Sequence, residues 1–291
     1  MKTSTYIEKN FTRLDGKTVA ISGATGGIGN HLAAELARLG AKLILLDRNT
    51  EKSETLILKL KADFPNLSAQ HVRIDLEDFE TVRKAKERLL EIGIDYLILN
   101  AGAYSIPRKK TSLGFDNVFQ INFVSPYYLA RSLMPSIKER GGRVIAVGSI
   151  AHNYSKTDPN DVDFATRGAA SKVYGNAKRY LMYSLLENFG KDGSISIAHP
   201  GITFTGITAH YPKLIFALIK HPMKIIFMNP KRAALSILRA VYENTASYEW
   251  IGPRIFNVWG LPKKKRLSSA KSGEIEYIKS KAEEIYERIS E

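Results

Sequence analysis

The chain has no cysteine, which removes disulfides, thiolate metal sites and cysteine nucleophiles from consideration. Long apolar runs are missing too, and no stretch approaches the roughly 20 residues of a membrane-spanning helix. At the N-terminus, MKTSTYIEKNFTRLDGK lacks both the apolar core of a secretory signal and an arginine-rich, acid-poor transit pattern. A cytoplasmic location is therefore the expectation. His210 and His221, in AHYPK and KHPMK, stand without metal-ligand spacing, and no metal is expected.

What is present in excess is positive charge, with 43 Lys and Arg against 29 Asp and Glu, a formal net charge of +14. Such an excess admits nucleic acid or an anionic membrane surface as partners. These charges are spread along helical segments such as TVRKAKERLL and gather only in PKKKRLSSAK. No nucleic-acid motif accompanies them, so no nucleic-acid partner is expected. The 291 residues, 44% hydrophobic and 25% charged, suit a globular chain near the upper size of one core. One domain over 1–291 is the expectation.

Short apolar or β-rich runs recur at 17–22 (KTVAIS), 42–47 (KLILLD), 71–74 (HVRI), 95–100 (DYLILN), 143–149 (RVIAVGS) and 194–199 (SISIAH). Segments with helical spacing, such as GNHLAAELARLG, lie between them. Strand and helix alternating at this period predict an α/β fold, a doubly wound parallel sheet in three layers, because each parallel crossover takes a helix. WIGP at 250–253 adds a last strand, residues 203–230 interrupt the rhythm, and GEIEYIKSKAEEIYERI forms a helix in a tail over 265–291.

SGATGGIGN follows the first strand and opens the first helix of that pattern. Ser22, Gly23, Thr25, Gly26, Gly27, Ile28 and Gly29 thus occupy the place where a dinucleotide pyrophosphate meets a tight turn and a helix N-terminus. Two glycine counts fit: Gly23, Gly27 and Gly29 as G-x-x-x-G-x-G, or Gly23, Gly26 and Gly29 as G-x-x-G-x-x-G. Asp47 ends the second strand, where an acid can bond the adenosine ribose hydroxyls and repel a 2′-phosphate. It favours NAD. Arg48 follows at once and can pair with that phosphate, which keeps NADP open.

In ASKVYGNAKRY, Tyr174 and Lys178 are four residues apart and share one helical face. Taken alone, such a pair is a half-buried tyrosine beside a snorkelling lysine. With SGATGGIG, LNAG at 99–102, Asn122, Ser149 and YGNAK in order, however, the chain resembles the short-chain dehydrogenase/reductase family over about residues 15–260. The resemblance implies a Rossmann-like fold and a catalytic set of Asn122, Ser149, Tyr174 and Lys178. It also implies that Asn100, Ala101 and Gly102 support the sheet beside the coenzyme and that Asp75 and Leu76 contact adenine. Pro200 and Gly201 would then lead to nicotinamide contacts at Thr203 and Thr205.

The chemistry implied is hydride transfer with proton exchange. A phenol with an ordinary pKa of about 10 is a poor base near neutrality, and a neighbouring ammonium favours the phenolate. Tyr174 would take the alcohol proton in oxidation or give it in reduction, Lys178 would acidify it and hold the nicotinamide ribose, and Ser149 would steady the substrate oxygen. Pro126 has no N–H to give the Asn122 carbonyl in a helix, which fits the role the resemblance implies for that carbonyl, holding a water on a proton path from Lys178 to solvent.

Three departures from the family pattern stand out. Ser22 replaces a common threonine, Leu99 replaces the first residue of N-N-A-G, and the Ser149-to-Tyr174 interval is long, a feature similar to the retinol-dehydrogenase-like branch. Tyr154 competes as catalytic tyrosine, but position 158 is Asp rather than Lys. Residues 207–230, apolar with Lys213, Lys220 and Lys224, read first as a packed lid or subunit contact; they also suit a lid over a lipid-like or steroid-like alcohol or ketone, or a peripheral membrane contact. A homo-oligomer is implied by resemblance alone. A nucleotide-sugar epimerase or dehydratase and a non-catalytic dinucleotide sensor are the other functional readings.

Overall fold

The computed structural model describes residues 3–203, 227–245 and 248–291. Thr205, His210, His221 and nearly all of the expected lid lie outside the described residues. Strands β1 (Thr18–Ser22), β2 (Lys42–Asp47), β3 (Ala69–Arg73), β4 (Tyr96–Leu99), β5 (Arg143–Val147), β6 (Ile195–Ala198) and β7 (Glu249–Ile255) run parallel in the order β3-β2-β1-β4-β5-β6-β7. An eighth strand, β8 (Trp259–Arg266), returns antiparallel on β7. The order reverses between β1 and β4, and a crevice opens at the carboxyl ends of those strands, the usual ligand position in such sheets.

Both faces of the sheet are covered, and the strand period of two decides which residue feeds which core. Ala20, Ile44, Leu46, Leu97, Leu99, Val144 and Ala146 point to one core. Their neighbours Val19, Ile21, Leu43, Leu45, Ile98 and Ile145 point to the other. The first core is closed by α4 (Phe79–Ile92), α6 (Ser125–Glu139), α7 (Ala170–Phe189) and α9 (Ser272–Ser290). The second is closed by α1 (Thr3–Asn10), α2 (Gly27–Arg38), α3 (Thr50–Asp63) and α8 (Pro230–Tyr242). This is the expected three-layer α/β arrangement.

Two elements were not anticipated. Helix α1 buries only Tyr6 and Ile7, too small a periodic signal to read in eight residues. Strand β8, WGLPKKKR, reads as a charge run because it is the sheet edge. Lysines and a proline there discourage further strand addition. The C-terminal helix α9 is packed along its length: Ile275, Ile278, Ala282, Ile285 and Ile289, spaced by three and four, are buried against the core beside α7.

Candidate active site

The turn after β1 is closed by backbone geometry. Gly23 has φ +68°, and a Cβ there would lie 3.0 Å from the Ala101 Cα. A Cβ on Gly29 would lie 2.1 Å from the Gly23 carbonyl oxygen, so α2 abuts the turn too closely for any side chain. Gly26 caps α2 and offers no side-chain acceptor, which leaves the first-turn N–H groups available to an anion. Ser22 works from behind. Its hydroxyl accepts the Asn100 and Ala101 N–H groups, both at 3.0 Å, and the Asn100 amide donates to the Ser22 and Gly23 carbonyls at 3.0 and 3.1 Å.

These elements border a cleft of about 710 Å³. Its walls hold Gly23, Thr25, Gly26, Gly27, Ile28 and Gly29, then Asp47 and Arg48, Asp75 and Leu76, and Asn100, Ala101 and Gly102. Asn49, Lys52, Glu77, Ala103, Ile106 and Ile121 also line it and carried no motif in the sequence. The Leu76 carbonyl is fixed by the Ser125 hydroxyl at 2.6 Å and the Gln120 amide at 3.1 Å. A glycine cradle, uncapped helix N–H groups and a strand-end acid together fit a dinucleotide.

Asp47 is more constrained than the sequence suggests. It is buried, and one carboxyl oxygen accepts from the Thr25 hydroxyl (2.9 Å) and N–H (3.3 Å), while the other accepts from the Ser53 hydroxyl at 3.4 Å. Burial pushes its carboxyl pKa upward, and the Thr25 and Ser53 hydrogen bonds only partly oppose it. Arg48, by contrast, is exposed at the rim.

Behind Gly102, Ala103 and Ile106 at the edge of the cleft, Asn122, Ser149, Tyr174 and Lys178 lie near one another. Asn122 sits in a π-helical turn (Gln120–Val124) that joins the short helix α5 (Asn117–Phe119) to α6. Such widened turns recur at functional sites. Its fully buried side chain accepts from the Ala103 N–H (3.2 Å) and donates to the Ala103 and Val118 carbonyls, both at 2.8 Å. A Cβ on Gly102 would come within 2.7 Å of Asn122 Oδ1 and 3.7 Å of Lys178 Nζ, so any side chain here would crowd both groups. Lys178 is 2% exposed, and its Nζ donates to the Val147 carbonyl at 2.9 Å and lies 5.7 Å from the Tyr174 ring centre. The Ser149 hydroxyl lies beside the Tyr174 phenol and accepts the Ala151 N–H, capping the 3₁₀ turn Ile150–Tyr154. Tyr104 packs edge-on against the Tyr174 ring at 5.4 Å.

The protonation states differ from the simple reading of the Tyr–Lys pair. Desolvation pushes Tyr174 up to about 12, with the Ser149 hydrogen bond lowering it in part and Tyr104 raising it. Burial pushes Lys178 down to about 8. Burial thus works on both members of the pair, raising the phenol and lowering the amine. One of the three ammonium donors of Lys178 goes to the Val147 carbonyl, and its charge is disfavoured by the same dry surroundings.

The short chain dehydrogenase model matches residues 17–209, a span that contains all of these groups. The chain belongs to that family. It is an oxidoreductase of the class that works with NAD or NADP. An uncharacterized oxidoreductase of Schizosaccharomyces pombe is 30% identical over 84% of this chain and 77% of its own length. Mouse retinol dehydrogenase 12 is 33% identical over 67% of this chain; the match spans 64% of that relative, under two thirds of its length. In structure, an uncharacterized protein from Mycobacterium paratuberculosis shares the fold with a TM-score of 0.75 at 24% identity, covering 96% of both chains. A Sphingobium yanoikuyae short-chain dehydrogenase in complex with NADPH aligns with a TM-score of 0.59 at 23% identity, over 77% of this chain and 84% of its own.

The long interval between Ser149 and Tyr174 is tied down at several points. Arg108 donates to the Phe164 and Arg167 carbonyls at 2.9 and 3.0 Å, and Asp163 accepts the Asp116 N–H at 2.7 Å. Arg179, next to Lys178 and 1% exposed, donates to Glu274 of α9, the His152 carbonyl and Ser269. This guanidinium joins the interval, α7 and α9, and only the folded packing reveals it. Tyr154 is 56% exposed, on the surface of the 3₁₀ turn. Pro200 and Gly201 are buried beyond β6, and Thr203 forms an isolated bridge with Met228.

Proposed function

We propose that the chain moves hydride between NAD(P) and a secondary alcohol or ketone, with a lipid-like substrate favoured. The observation that carries this reading is that Asn122, Ser149, Tyr174 and Lys178 lie near one another behind Gly102 and Ile106, at the edge of the dinucleotide cleft. A nicotinamide, when bound, supplies or accepts the hydride. The glycine turn and the uncapped N-terminus of α2 hold the pyrophosphate, Asp47 favours NAD, and Arg48 leaves NADP usable.

Ser149 positions the substrate oxygen against Tyr174. With its pKa near 12, Tyr174 is protonated at neutral pH, so it stands ready to give the proton that a ketone oxygen needs in reduction. For oxidation it must first lose that proton. Lys178 and the region of the Asn122 carbonyl, which Pro126 cannot engage as an i+4 donor, provide the route to solvent.

Support for a lipid-like substrate is apolar. Ile106 and Tyr174 pack against a cluster of Val118, Phe164 and Val173, and Tyr104 closes on the Tyr174 ring. Relatives bear the names retinol dehydrogenase 12 and polyprenol dehydrogenase. The test is a screen of steroid, retinoid, isoprenoid and short-chain alcohols and ketones with both coenzymes, followed by nicotinamide absorbance. Turnover confined to small polar substrates would refute the lipid-like part of the reading.

A further inference from the structure

The β7–β8 hairpin ends in an apolar point beside the site. Among the described residues, Ile255 (43% exposed), Phe256 (84%) and Trp259 (39%) gather half of the exposed large hydrophobic side chains on five consecutive positions. Their turn, Ile255 to Val258, is closed by a 2.9 Å backbone hydrogen bond, with Phe256 at φ +49° and Asn257 at φ +59°. Two positive φ values favour Asn and Gly, so a phenylalanine at the first of them opposes both backbone preference and solvation. That cost suggests a role outside the fold.

The point is fixed to the catalytic end of the molecule. His199 Nε2 donates to the Asn257 carbonyl at 3.0 Å, and Lys265 donates to the Pro253 carbonyl and to Asn257 Oδ1, both at 2.6 Å. A Cβ on Gly201 would lie 2.8 Å from the Val258 carbonyl. Behind the apolar tip comes a collar of cations. Arg254 and Lys263 are exposed, two positions before Phe256 and four after Trp259, where the two strands leave the turn.

We propose that this tip docks on an anionic lipid bilayer: Ile255, Phe256 and Trp259 enter the boundary between headgroups and acyl chains while Arg254 and Lys263 meet lipid phosphates. An apolar point backed by basic residues is the pattern of interfacial binding. A second copy of the chain fits less well. Three partly exposed side chains supply far less than the roughly 1,200 Å² of a stable interface, and a twofold contact would set like charges together. The catalytic mouth is thereby held at the bilayer surface.

Vesicle binding needs no turnover, so it is testable whether or not the catalytic reading holds. The experiment is cosedimentation of the full chain with phosphatidylcholine vesicles, with and without phosphatidylserine, at about 50 mM and about 500 mM salt, where screening differs strongly. Binding is expected only to the anionic vesicles and mostly at low salt. The chain has two tryptophans and Trp250 is buried, so a blue shift of emission on binding reports Trp259. Phe256→Asn should lower the partition coefficient at least about tenfold while leaving the melting temperature equal or higher, because Asn suits the turn. Arg254→Glu with Lys263→Glu should lower it further, by about fivefold or more per charge. The proposal is overturned if wild type ignores anionic vesicles at low salt, or if Phe256→Asn binds like wild type. It is also overturned if lipid-free wild type is a dimer that Phe256→Asn dissociates, which would make the tip a contact between copies.

Discussion

Lys178 gives its hydrogen bond to the Val147 carbonyl at 2.9 Å, while its nitrogen lies 5.7 Å from the centre of the Tyr174 ring. The lysine thus ties α7 to the end of β5 while its nitrogen stays beside the phenol ring. With Tyr174 near 12, its deprotonated fraction rises tenfold per pH unit below that value. Alcohol oxidation, measured as kcat/KM, should climb with a logarithmic slope of about +1 above neutrality, and reduction should not. A flat oxidation profile from weakly acid to weakly alkaline pH would contradict this.

Stability carries the opposite signature of the same buried amine. The folded pKa of Lys178, about 8, lies below its ordinary value of 10.5, so the fold binds that proton more weakly than the unfolded chain does. The penalty is full below pH 8 and fades as pH rises to 10.5; it amounts to about 3 kcal/mol. Lys178→Met should raise the melting temperature at pH 7 by roughly 5 °C. The gain should vanish near pH 10.5, and activity should collapse at every pH. Thermal denaturation at the two pH values checks it.

The glycines of the turn are not equivalent. A Cβ at Gly29 would meet the Gly23 carbonyl at 2.1 Å, whereas at Gly26 the nearest atom is 3.2 Å away. Gly29→Ala should weaken coenzyme binding at least about a hundredfold or cost several kcal/mol of stability, as overpacking against backbone does. Gly26→Ala should cost less than about tenfold. Coenzyme fluorescence titration with thermal melts separates the two outcomes.

Coenzyme choice should follow the Asp47–Thr25 lock. Because Asp47 is buried and already bonded to Thr25, Arg48 meets a 2′-phosphate with less opposition than an open aspartate would present. Arg48→Ala should lower kcat/KM with NADP about tenfold and leave NAD nearly unchanged, as expected for loss of a charge-assisted phosphate contact. Asp47→Ala should shift preference toward NADP. Steady-state rates with both coenzymes decide.

The parallel sheet was legible because its strands are buried on both faces and so read as apolar runs such as LILLD and LIL, each followed by a helix with its own period. The glycine turn was legible because close backbone approach dictates residue type at fixed offsets, whereas LNAG and the Tyr174–Lys178 pair were legible through their resemblance to the family. What escaped depends on distant partners. Nothing local announces that Glu274 answers Arg179, that Thr25 occupies Asp47, or that Tyr104 closes on Tyr174. Strand β8 escaped because an edge strand is written in lysines rather than β-branched residues. The protonation states escaped for the same reason as the contacts: dryness at Tyr174 and Lys178 is a property of packing, which spacing does not record.

The most direct test of the catalytic assignment is Tyr174→Phe, which removes one hydroxyl and keeps the ring against Tyr104. Single-turnover and steady-state rates with a substrate accepted by wild type should fall by about a thousandfold or more in both directions, as loss of a proton-transferring group does, with the coenzyme dissociation constant and melting temperature almost unchanged. Turnover within a few fold of wild type would show that the proton moves through another group and that the assignment is wrong.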